Sequence, residues 1–439
     1  MEHLLISGEH SDDLSAYFGE REYRELCVLA ARAAAAPLTA DAVTVFVVPG
    51  MMGSQLGLKR QRPLPDDILW LDPIDIGVGR LASLQLSAGE PIVPLGVVLY
   101  SYLRLKLHLR ATGFAPVLYD YDWRLGIDQL GTALAQRVRN ESAGRIMIVA
   151  HSMGGLVSRA ALAEPQMSKV ERLVLLGTPN LGSFAPLQAL RGTYPVVRKV
   201  ASLAGTGSPE SLAEEIFNCF PSLYHMLPKA ECNGGTDLFD PTEWPRSGPL
   251  PDAGLLRGAR EFQQRLPRSD ERISAVVGVG QETVTGVRRH NDDFIYTVTR
   301  RGDGTVPAVS AGLAGGRNHY ATVAHSDLTR DPTVAAAVTE LLRDGTTRLL
   351  PAKWRSSSAA EANISDRQLR RMHTQKVDWT SLEPDERRMF LENLNEPPKL
   401  KLRVRPDRTA AKRKTSTRKK SIHGSAGRGG SGRRPARKR

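Results

Sequence analysis

The chain has 439 residues, 41% apolar and 24% charged, a soluble composition with length enough for one large core plus additions, or for two domains. Its net charge of +13 is uneven: residues 399–439 hold 17 Lys and Arg against one acid, so the basicity lies in a tail and the body is near neutral. Three cysteines (Cys27, Cys219, Cys232) exclude a disulfide framework, no Cys/His cluster has metal-ligand spacing, and no run of about 18 apolar residues is present to span a membrane.

The start, Met1 to His10, lacks a basic segment followed by a sustained apolar one. A cytoplasmic protein without a signal peptide, peripheral to membranes at most, is therefore expected. Leu14 to Ala36 has helix-forming composition and stops at Pro37, giving a helical extension over 1–42. Val43 to Val48 is a buried strand, followed by the glycine-rich loop Pro49-Gly50-Met51-Met52-Gly53-Ser54. Residues 58–95 show no clean period and mix prolines with apolar Ile68, Leu69, Trp70 and Leu71, which predicts a lid-like segment or a loop packed on the core. Leu95 to Arg110 has Leu99, Leu103 and Leu107 at helical spacing. A strand over Phe114–Tyr119 leads into Tyr121-Asp122-Trp123-Arg124, where Asp122 and Arg124 are expected to pair with each other or with neighbours. Ile127 to Val138 is a helix.

Next comes Arg145-Ile-Met-Ile-Val-Ala150-His151-Ser152-Met153-Gly154-Gly155, a branched apolar run broken at a serine and continued by a helical pattern. A serine on a strand-to-helix turn between small residues, here Ala150 and Gly154, has the form of the nucleophile elbow of α/β-hydrolases. The turn is tight enough to need small residues two before and two after the serine. It also sets the amide of Met153 at a helix N-terminus, where developing negative charge is stabilised. The glycine-rich loop after the first strand is where such proteins place a second donor, here the amide of Met51.

Val170 to Leu176 is another buried strand, so strands and helices alternate as in a mostly parallel sheet. Residues 184–268 interrupt the alternation with helical pieces and with Phe217, Phe220, Leu223, Tyr224, Met226 and Leu227, a cap insertion whose apolar residues suit either an acyl chain or ordinary packing. The sheet resumes at Ile273 to Gly280, with a hairpin over Thr283–Val287 and Phe294–Val298. Asp303 then sits between two glycines, and His325 closes a strand that opens at His319. Each feature alone has a bland explanation, an Asp-Gly turn or a structural histidine. The order Ser152, Asp303, His325, each expected at a strand end, is the triad order of α/β-hydrolases. His319 is the weaker base, and Asp292 and Asp293 are the fallback acids. Residues 351–398 read as a linker with a short helical segment. The tail 399–439 reads as disordered and compatible with an anionic membrane surface, with nucleic acid, or with a merely soluble tail.

Six pieces taken together resemble the lecithin:cholesterol acyltransferase family, which includes phospholipid:diacylglycerol acyltransferase-like proteins and related phospholipases. They are Val48-Pro-Gly-Met-Met-Gly-Ser-Gln-Leu56, Leu69-Trp-Leu-Asp72, Tyr121-Asp-Trp-Arg124, His151-Ser-Met-Gly154, Leu176-Gly-Thr-Pro-Asn-Leu-Gly-Ser183, and Gly302-Asp-Gly-Thr-Val306 with His325. They occur in the family's order across 43–343. The resemblance implies an α/β-hydrolase domain over 43–350, with Ser152 as nucleophile, Asp303 as acid and His325 as base. It also implies an oxyanion hole from the Met51 and Met153 amides, and a lid region around Trp70, a candidate substrate contact. The implied function is lipid O-acyl transfer through an acyl-enzyme, with no metal or cofactor. Two other functions fit the same sequence: a phospholipase or lipase-type ester hydrolase, and an inert scaffold that binds anionic partners through its tail.

Overall fold

The computed structural model describes residues 1–372 apart from 40, 71–78, 143, 204–207, 233–234, 268–269 and 357–359. The basic tail and residues 373–398 lie outside the described residues. The chain has the α/β-hydrolase fold. Its central sheet contains β1 (Thr44–Val48), β5 (Ala115–Leu118), β6 (Ile146–His151), β7 (Val170–Leu176), β8 (Ile273–Gly278) and β11 (Arg317–Ala321), in the order β11-β8-β7-β6-β1-β5 with every pairing parallel. The middle strands are buried on both faces because alternate side chains feed two different cores. Phe46, Ile148, Leu175 and Ala275 enter one; Val45, Val149, Val174 and Val276 enter the other. This is why these strands read as unbroken apolar runs.

Helices Ile127–Arg139 and Met153–Ala161 follow β5 and β6. Between β7 and β8 the chain forms helices Phe184–Leu190, Pro195–Leu203, Pro209–Glu215, Pro221–His225 and Ala253–Arg265. Phe217, Phe220, Leu223, Tyr224, Met226 and Leu227 are all buried in the first of the two cores, so here they are packing residues. Helix Pro332–Asp344 follows β11.

Several elements differ from the sequence expectation. The N-terminal helix is two, Ser11–Phe18 and Glu20–Ala35, broken at Gly19 with φ 85°; both pack through Phe18, Leu26 and Ala30 on Leu103 and Leu107. Leu95 to Val97 belongs to β4 (Ile92–Val97), and the helix begins only at Leu99. The leucine spacing extends backwards past the true start, and pairing with β2 (Ser54–Leu58) overrides it. With β3 (Asp67–Trp70), these strands form a small antiparallel sheet, β3-β2-β4; β3 lies inside the stretch 58–95 read as lid-like, and β2 and β4 lie at its two ends. A second three-stranded sheet joins the expected hairpin, β9 (Thr283–His290) and β10 (Asp293–Thr299), to β12 (Glu361–Ser365). Residues 361–371, read as linker and helical segment, are thus β12 and a helix, Asp366–Arg371, that begins with a Ser365–Gln368 capping box.

Candidate active site

The carboxyl edge of a parallel sheet is where backbone ends and helix N-termini converge. Ser152 stands there, directly after β6, with φ 53° and ψ −126°, a strained backbone for a non-glycine residue. Sterics show what the turn demands. A methyl on Gly154 would lie 2.3 Å from the Pro49 carbonyl oxygen, so only glycine fits two residues after the serine. The loop after β1 crosses the serine equally closely: a methyl on Gly50 would stand 2.8 Å from the Ser152 Cβ. Met51 is therefore the next residue along a loop in contact with Ser152, and Met153 is the first residue of the helix that follows it.

The structure brings Asp303 and His325 to this serine. His325 Nε2 lies 2.9 Å from Ser152 Oγ, and His325 Nδ1 lies 2.8 Å from Asp303 Oδ2. The second oxygen of Asp303 accepts from the amides of Thr305 at 2.9 Å and Val306 at 2.7 Å. The acid is buried and held from three sides, while Ser152 and His325 keep some exposure. Gly177, after β7 with φ 56°, closes the cluster; a side chain there would meet Asp303 Oδ2 and His325 Nδ1 at 3.0 Å.

Neither partner follows a strand as directly as expected. β11 ends at Ala321, and His325 opens a short 3₁₀ turn beyond it. Asp303 lies past the end of β10, in a turn closed by a bridge between Gly302 and Pro307. The weaker candidates sit elsewhere. His319 is in mid-β11, buried, in register with Val276. Asp292 accepts from the Arg246 amide at 2.6 Å beside the β9–β10 turn, and Asp293 begins β10.

The Tyr121–Arg124 cluster braces the loop after β1. Tyr121 donates to the Pro49 carbonyl at 2.6 Å, and the Trp123 indole donates to the Ser54 carbonyl at 3.0 Å. Arg124 grips Asp122 through two bonds of 2.9 and 2.7 Å, the mutual pairing expected from sequence, and its Nη1 donates to the Leu84 carbonyl at 2.8 Å. Trp70 has no exposed surface, and its ring packs edge-on against Trp123 at 5.3 Å. Leu71 and Asp72, after it, lie outside the described residues.

The family model for lecithin:cholesterol acyltransferase matches residues 109–336, more than half the chain, and includes Ser152, Asp303 and His325. The chain belongs to the lecithin:cholesterol acyltransferase family. Membership joins it to a family that acts on lipid acyl esters. No curated protein matches the chain. Among solved structures, the lipase BlEst2 of Bacillus licheniformis in its propeptide form is 13% identical with a TM-score of 0.38, over 73% of this chain and 54% of that one. A chain of the Tle4–Tli4 complex is 13% identical with a TM-score of 0.44, over 70% of this chain and 99% of that one. Phospholipase PlaB of Legionella pneumophila is 12% identical with a TM-score of 0.31, over 70% and 60% of the two chains. Likenesses this distant say nothing about substrate. Among the described residues no helix is long and apolar enough to cross a membrane, and no group of acidic, His and Cys residues is arranged to hold a metal ion. Cys27, Cys219 and Cys232 are free thiols.

Sequence reasoning did not anticipate two buried histidines of this family member. Burial pushes His151, next to Ser152, down to about 3, and the neighbouring His325 adds to the shift. Burial likewise pushes His225 down to about 4; its Nδ1 accepts the Ile127 amide at 3.1 Å, and its ring stacks on Phe262. Both are neutral in the folded protein, whereas unfolded histidine takes up a proton near pH 6.5. As pH falls below that value the unfolded chain binds protons that the folded chain refuses, so stability is lost towards pH 4. Each residue contributes a slope of up to about 1.4 kcal/mol per pH unit. Urea midpoints measured from pH 7 to 4.5 are expected to fall more steeply for the wild type than for His225→Gln. Parallel slopes would contradict a neutral His225.

Proposed function

We propose that the protein is a serine-dependent lipid O-acyltransferase working through an acyl-enzyme on glycerolipid-type esters. The observation that carries this is the unbroken line from Ser152 Oγ through the His325 ring to Asp303, on a strained serine turn. His325 Nε2 takes the proton as Ser152 Oγ attacks the ester carbonyl carbon. Negative charge moves to the carbonyl oxygen, where the Met51 and Met153 amides stabilise it. Collapse breaks the bond to the leaving alcohol, which takes the proton back from His325. An acceptor hydroxyl then gives its proton to the same imidazole and attacks the acyl carbon; collapse breaks the bond to Ser152 Oγ, which takes that proton back from His325. Throughout, Asp303 orients His325 and stabilises its charged form.

Hydrolysis uses the same residues with water as acceptor, so product analysis separates the two. Full-length protein is incubated with glycerophospholipid vesicles, with and without a long-chain alcohol in the bilayer. The expected result is an acyl ester of the alcohol in excess of free fatty acid. Free fatty acid alone, unchanged by the alcohol, would make the protein a hydrolase; no product from either mixture would count against enzymatic function.

A further inference from the structure

Two side chains that the reaction does not use lie between its working parts. The Gly50 amide, one residue before Met51, donates to the Tyr102 hydroxyl at 2.8 Å. That hydroxyl lies 3.0 Å from His151 Nδ1, and His151 Nε2 lies 3.0 Å from the backbone oxygen of His325. Tyr102 comes from helix Leu99–Ala111 and His151 from the last position of β6, so neither belongs to the segments it joins. Both are buried.

The hydrogens in this line have one consistent arrangement. An amide can only donate and a carbonyl can only accept. The Tyr102 oxygen therefore accepts from Gly50 and sends its proton to His151 Nδ1, and His151 carries its proton on Nε2, aimed at His325. The amide of His325 donates in turn to the Asp303 carbonyl at 2.8 Å, so the backbone of the base is held on both sides. The rings of His151 and His325 lie 4.8 Å apart. A neutral His151 sets no like charge against the imidazolium that forms on His325.

We propose that Tyr102 and His151 act as a positioning pair, a strut that ties the oxyanion loop at Gly50–Met51 to the backbone of His325 across the nucleophile. The proposal rests on the catalytic assignment of Ser152, Asp303 and His325. Neither residue touches the reacting atoms. The strut fixes the distance between the group that takes the proton and the amide that receives the charge. Losing the Tyr102 hydroxyl frees both ends: Gly50 loses its acceptor, and His151 is no longer held in the tautomer that donates to His325.

The test uses Tyr102→Phe, His151→Phe, the double variant and His151→Gln, which keeps a donor able to face the His325 carbonyl. Turnover of a p-nitrophenyl acyl ester is normalised to active sites titrated with a serine-directed phosphonate, so misfolded protein drops out of the rate. Misplacement of reacting groups is expected to lower kcat per titrated site on the order of 10- to 100-fold in each Phe variant, with KM within about 2-fold. The double variant is expected to be no worse than the poorer single, because one strut is broken once. His151→Gln is expected to recover part of the loss. Wild-type kcat per titrated site in Tyr102→Phe, or losses that multiply in the double variant, would reduce both residues to packing and overturn the proposal. If the wild type takes no phosphonate, the catalytic assignment fails and the strut fails with it.

Discussion

Ser152→Ala is expected to abolish acyl transfer and hydrolysis while leaving the unfolding midpoint close to that of the wild type. In the proposed mechanism the hydroxyl is the attacking atom, and its bond to His325 Nε2 at 2.9 Å joins two partly exposed side chains rather than packing the core. The strained φ of 53° belongs to the backbone and is carried equally by alanine, so the substitution removes chemistry without adding strain. Loss of a triad nucleophile lowers kcat on the order of a million-fold in enzymes of this kind, and donors at the oxyanion position leave residual catalysis of about 10³- to 10⁴-fold over water. Steady-state rates on an acyl ester, with a thermal melt of the same sample, check both halves. Retained turnover in a well-folded Ser152→Ala protein would remove this serine from the mechanism.

Asp366→Ala is expected to destabilise the fold strongly. Asp366 and Arg191 form an ion pair at 2.8 Å with no exposed side-chain surface on either partner. Arg191 also donates to the carbonyls of Pro245 and Pro249 at 2.9 and 2.6 Å, and Asp366 accepts from the Tyr296 hydroxyl at 2.6 Å. Burial pushes the Asp366 carboxyl up, against the pull of Arg191 and Tyr296. Removing it strands a guanidinium in the interior, which costs about 3–5 kcal/mol. Arg191→Met combined with Asp366→Ala is expected to recover part of that loss, because no unpaired charge remains. Urea unfolding measures both. A single-variant loss below about 1 kcal/mol, the size of an exposed pair, would show that the pair does not hold residues 361–371 in place.

Ser152 and Asp366 differ in how far the sequence reveals them. β1, β6 and β7 were legible because strands buried on both faces are continuous branched apolar runs, and each ends at a break of glycine, proline or serine. Ser152 was legible because the elbow needs small residues at fixed offsets. Asp303 and His325 were found through chain order, a property of the fold rather than of their local sequence. β2 escaped notice because it is short and contains Gly57, and the backward extension of the leucine spacing disguised the end of β4. Asp366 lies in the stretch 351–398, read as a linker with a short helical segment, where nothing local marks a buried charge. Its partner lies 175 residues earlier, and the local clue, Ser365 with Gln368 at capping-box spacing, marks a helix start without revealing burial. Tyr102 and His151 are 49 residues apart and meet only in the folded chain. No periodicity reports such a contact.

The most direct test of the catalytic assignment is the site of covalent capture. Folded wild-type protein is treated with a serine-directed phosphonate, digested, and its peptides are mapped by mass spectrometry. A single adduct on Ser152 is the expected result. An adduct on another residue, or none on protein that is demonstrably folded, would contradict the assignment of the nucleophile.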